Sequence, residues 1–129
     1  MNRDRFYEII DEAIKDLPDE FRTEINNIEI IVEDVPDKET EAKFAPGGML
    51  LGLYTGIPLT VRGTGYALNN YSFAPPDRIF LYQKNLDRYC RDSGKSLVNQ
   101  IRETLFHEVG HYLGLSEEEL HNLKYRSMK

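Results

Sequence analysis

Near the C-terminal end of the chain runs His107-Glu108-Val109-Gly110-His111-Tyr112-Leu113-Gly114, and this stretch constrains the rest more than any other. Its apolar positions, Val98, Ile101, Leu105, Val109 and Tyr112, recur at helical spacing behind Ser96, a residue suited to cap a helix N-terminus. On that helix, positions four apart stack on one face, so His107 and His111 aim at a common centre, with Thr104 one turn earlier. Two neutral imidazoles one turn apart are a natural grip for a divalent cation such as zinc. Glu108 falls roughly 100° further around the helix, placed to reach a solvent molecule on the metal and act as a general base. Gly110 carries no side chain, so something can approach the helix closely there. The bland alternative is a helical coincidence, two half-buried histidines with no ion between them.

Composition narrows the class. The 129 residues are enough for one domain, which is expected to span residues 1–129. Sixteen Lys plus Arg against 22 Asp plus Glu give a net charge of −6, which argues against nucleic-acid binding through a basic face. Cys90 is the single cysteine, so no internal disulfide can form and a reducing, cytoplasmic setting is expected, with Cys90 buried rather than reactive. No apolar run is long enough to suggest export or membrane insertion.

The remaining segments read as alternating helices and short strands. Phe6, Ile9, Ile10, Ala13, Ile14 and Leu17 form one face of an N-terminal helix capped by Asn2 and stopped by Pro18. Residues from Pro18 onward start another helical turn. Strands are expected at 28–33, 49–54 and 78–82, with a charged loop at 37–45 and a short helix capped by Asn85 and running through Arg91. The segment 61–76, rich in Gly, Asn and Pro, reads as a loop, and its Tyr66, Tyr71 and Phe73 either pin it to the core or line a cleft. Arg62-Gly63-Thr64-Gly65 lacks the Gly-Lys-Ser/Thr of a phosphate loop. The expected fold is α+β, a small twisted mixed sheet packed against helices.

A catalytic zinc needs three protein ligands. Gly114 ends the helix, and Leu115-Ser116-Glu117-Glu118-Glu119-Leu120-His121 follows. Here the chain resembles the zincin metallopeptidases with a short H-E-x-x-H-x-x-G-x-x-(Asp/Ser/His) signature, and more closely the compact mini-zincin family. The resemblance is strongest over 107–120 and looser over Leu17-Pro18, 32–36, 51–60 and 76–79. It implies that His107 and His111 bind zinc, that Glu108 serves as the catalytic base, and that the third ligand falls at Glu117. Asp is common at that place in the family, so Glu117 is a departure, with Glu118 and His121 as rivals. Ser116 and Glu119 also read as a capping box, with Leu115 and Leu120 as its apolar staple, whichever residue holds the metal. The implied activity is hydrolysis of peptide bonds, on a peptide or protein held along a sheet edge at residues 49–55. Tyr66, Tyr71 or Arg78 are candidates to stabilise the oxyanion. The rival readings are a zinc-binding protein without turnover and an interaction module built on the 61–76 aromatic loop.

Overall fold

The computed structural model describes residues 2–56 and 77–127, with side chains described through Leu123. Helix α1 (Arg3–Lys15) starts where expected: Asn2 Oδ1 accepts the Arg5 N–H at 2.8 Å, and Phe6, Ile9, Ile10 and Ala13 face inward. Pro18 opens α2 (Asp19–Ile25), which buries Phe21 and Ile25. Strand β1 (Glu29–Glu33) follows, tied to α1 by Arg3, whose guanidinium donates to Val32 O and Asp34.

The charged segment expected as a loop is instead a helix, α3 (Lys38–Phe44), capped by Asp37 accepting from Thr40 N at 2.7 Å. None of its residues is buried, so it has no apolar stripe to announce it. Its local signals are the cap and the acidic first turn, Glu39 and Glu41, with Lys43 in the last turn.

Strand β2 is shorter than expected, Gly52–Thr55, and β3 runs Arg78–Tyr82. The sheet is mixed, in the order β1-β3-β2, with β1 parallel and β2 antiparallel to the central β3. Ile79 and Leu81 on β3 are fully buried. Tyr82 N–H donates to Leu51 O, so with the register Leu53 to Phe80 the odd-numbered residues of β2 bond inward. The main-chain groups of Gly52 and Tyr54 therefore face the outer edge.

Helix α4 (Gln83–Ser93) leaves β3 directly, with its cap at Tyr82, three residues before the expected Asn85. Asn85 lies inside it, and its side chain donates to Leu50 O at 2.9 Å rather than capping the helix. Cys90 is buried there, and that burial pushes its thiol pKa up, as an inert core residue should behave. Helix α5 (Leu97–Leu113), capped by Ser96 accepting from Asn99 N, packs against α1, α2, α4, β2 and β3. After Gly114 (φ 81°) the chain enters α6 (Glu117–Ser127) through the expected capping box, Glu119 N–H to Ser116 Oγ and Ser116 N–H to Glu119 Oε1, both at 3.1 Å. Among the described residues no helix is long and apolar enough to cross a membrane. The architecture is α+β, a three-stranded mixed sheet with helices packed on it.

Candidate metal centre

The packing of α5 determines how its other face is presented. Ile101, Leu105 and Val109 are fully buried and Tyr112 nearly so, which fixes the helix in rotation. Phe106 stacks on Phe21 of α2 with ring centroids 4.8 Å apart, and Arg102 pairs with Asp16 after α1 at 2.8 Å. Thr104, His107, Glu108 and His111 then turn toward β2 and α6. Rotation and tilt of this face follow from the apolar stripe, not from the polar residues themselves.

The two imidazoles lie with ring centroids 4.3 Å apart, and both are more than a third exposed. Their Nδ1 atoms face Glu108, at 3.0 Å from His107 to Oε2 and 3.3 Å from His111 to Oε1. Their Nε2 atoms face Glu117. His107 Nε2 is 2.8 and 3.0 Å from its two oxygens, and His111 Nε2 is 3.2 Å from Oε1. Glu117 is the carboxylate set against both Nε2 atoms, and among the described residues neither Glu118 nor His121 makes a hydrogen bond or ion pair with the two rings.

Glu108 is the buried member of the group, with only 9% of its side chain exposed. Its Oε1 accepts the main-chain N–H of Tyr54 at 2.9 Å, a contact between α5 and the outer edge of β2. No side-chain pattern announces such a donor, because every residue except proline has one. Tyr54 is itself held by its ring, which meets Tyr112 edge-on, and by its hydroxyl, which donates to Asp77 at 2.7 Å.

The electrostatics follow from these contacts. Burial alone would push the Glu108 carboxyl up, but hydrogen bonds and charge from His107 and His111 outweigh it and hold it at about 2. His107 is raised to about 9, chiefly by its hydrogen bond to Glu108, against the opposing pull of burial. His111 is raised by the same carboxylate, and hydrogen bonds from His111 and His107 lower Glu117. The site thus concentrates negative charge on two sides of two nitrogen donors. His107, Glu108 and His111 each place one donor atom within 4.8 Å of the others, and this group could hold a metal ion. Imidazole nitrogen with carboxylate oxygen suits zinc among the common divalent ions.

Gly110 lets α6 come close. A Cβ there would lie 2.1 Å from Leu120 Cδ2, so the absent side chain is what allows Leu120 to seat and α6 to carry Glu117 back over the histidines. Arg78, one of the oxyanion candidates, pairs with Glu29 at 3.3 Å. Tyr66, Tyr71, Phe73 and the rest of the 61–76 loop lie outside the described residues.

Sequence comparison agrees with this geometry. A family described as zincin-like metallopeptidase matches residues 25–126, most of the chain, and the protein belongs to that family. The match begins at the last residue of α2 and runs through β1, the edge strand, the helix of the histidines and most of α6. No curated protein matches the chain.

Proposed function

We propose that this protein is a zinc-dependent peptidase in which His107, His111 and Glu117 hold the metal and Glu108 is the general base. The observation that carries the reading is that both imidazole Nε2 atoms lie 2.8–3.2 Å from the Glu117 oxygens while their Nδ1 atoms face the buried Glu108 carboxylate. When bound, zinc supplies Lewis acidity, polarising a carbonyl and acidifying water. Glu108 then takes a proton on the carboxylate that Tyr54 N–H keeps oriented, and returns it to the leaving amine. The outer edge of β2, with the Gly52 main chain facing away from β3, supplies hydrogen-bonding groups for an extended peptide.

One observation favours a second reading, a zinc-binding protein without turnover. The Glu117 side chain is 73% exposed, which leaves it less constrained than a ligand packed on all sides. One pair of measurements separates the two. Glu108→Gln is expected to keep zinc, measured by elemental analysis of protein purified without chelator. It is also expected to lower cleavage of a peptide library by about 10²- to 10⁴-fold. Zinc retained with equal turnover in both forms would remove Glu108 from the chemistry, and no turnover in the wild type would favour the second reading.

A further inference from the structure

Beside the histidines lies a cavity of about 420 Å³ between the residues leading into β2, the N-terminal half of α5, and α6. Its walls are apolar at Leu51, Phe106 and Leu120, and acidic at Glu103 and Glu117. Among the described residues its basic lining is confined to His107, which is turned to Glu108 and Glu117, and His121. Gln100, one turn before Thr104, also lines it and is only 8% exposed. Its amide is oriented by a hydrogen bond from Nε2 to Thr104 Oγ1 at 3.3 Å, while Thr104 Oγ1 donates to Gln100 O at 2.8 Å. That leaves Gln100 Oε1 sealed from water with no donor among the described residues. A buried acceptor without a partner is costly, and a ligand that brings the missing donor recovers that cost.

We propose that this cavity is a subsite for a lysine or arginine side chain of the substrate, with Gln100 as the specificity-determining residue. The inference rests on the peptidase reading above. The apolar walls suit the methylene stem of a long cationic side chain. Glu103 favours its charge, and Gln100 Oε1, turned into the cavity by a change of side-chain rotamer, accepts from its head group. The same acceptor is left unsatisfied by an apolar side chain of equal length, which is how such a site discriminates.

The test uses the full zinc-loaded chain and two hexapeptides identical except for lysine or norleucine at the position next to the scissile bond. The lysine peptide is expected to shift the ¹⁵N side-chain amide resonance of Gln100, and the norleucine peptide to leave it in place. Lysine is also expected to be preferred in cleavage by about tenfold or more. Gln100→Leu should bring that ratio close to one, and Gln100→Glu should raise it. An unchanged ratio in whichever variant folds overturns the subsite, as does lysine binding that leaves the Gln100 amide unmoved. Glu108-dependent cleavage with no preference for basic residues would sink the subsite and leave the peptidase reading standing. A Gln100 shift specific to lysine without any cleavage would do the reverse.

Discussion

Glu108 is held by three neighbours, the two imidazole Nδ1 atoms and the Tyr54 amide, and its behaviour depends on all of them. The histidines, by contrast, are more than a third exposed and have their Nε2 sides turned to Glu117. His107→Ala is therefore expected to abolish zinc binding while costing the chelated protein about 1.5–3 kcal/mol, the scale of a hydrogen bond to a charged group. Metal content together with a chemical-denaturation midpoint checks this; a variant that unfolds while retaining zinc would contradict it. At this scale the sequence was most informative for residues whose chemistry is in the side chain. His107, Glu108 and His111 could be named from type and spacing, whereas Glu117 came only from the family resemblance, with Glu118 and His121 as rivals. The Tyr54 amide and the Gln100 oxygen could not be named, since a main-chain donor has no letter of its own and a glutamine on a helix is ordinarily solvated.

Helices α5 and α6 act as a pair because of what lies between them. Gly110→Ala would gain roughly 1 kcal/mol of helix propensity on α5 in isolation. The added methyl would instead meet Leu120 at its Cγ and both Cδ atoms, all at 3.0 Å or less, so the whole buried side chain must shift. Overpacking of this kind costs about 1–3 kcal/mol, and that effect wins. The expected result is a lower melting temperature together with weaker zinc affinity, because Glu117 moves with α6; an alanine variant with raised stability and normal affinity would show that α6 docks elsewhere. Gly52 offers a parallel case at the sheet. A Cβ there would lie 2.6 Å from Thr104 Cγ2 and 3.1 Å from Phe80 O. Gly52→Ala should destabilise, and adding Thr104→Ser, which removes that Cγ2, should restore part of the loss in a double-mutant cycle. Elements with an apolar stripe or a β-branched run, α1, α5, β1 and β3, were legible from periodicity. The exposed α3 was not, because nothing is buried along it, and α4 began early because β3 feeds it without an intervening turn.

For the molecule as a whole, the site couples stability to pH in two opposite ways. With metal chelated, His107 has its pKa raised from 6.5 to about 9, so its contribution is complete below 6.5 and disappears as pH rises through 9. Glu108, lowered from 4.5 to about 2, contributes above 4.5 and loses that contribution as pH falls through 2. The chelated protein should therefore melt highest between 4.5 and 6.5. Zinc needs deprotonated imidazoles, so its added stabilisation grows over the same interval in which the His107–Glu108 pair weakens, and loading at neutral pH should release protons. Melting curves with and without chelator from pH 5 to 9, and calorimetry in buffers of different ionisation enthalpy, read both effects; a zinc increment that is flat with pH would contradict the coupling. The hydrogen bond from Tyr54 N–H to Glu108 has a further consequence for any ligand laid along β2. That amide is already engaged, so the ladder between an incoming strand and the protein has a gap one rung long, beside Gly52. In a thioamide scan, which weakens a carbonyl as acceptor, the substitution should be silent at the carbonyl facing Tyr54 N–H and costly at the one facing Gly52 N–H.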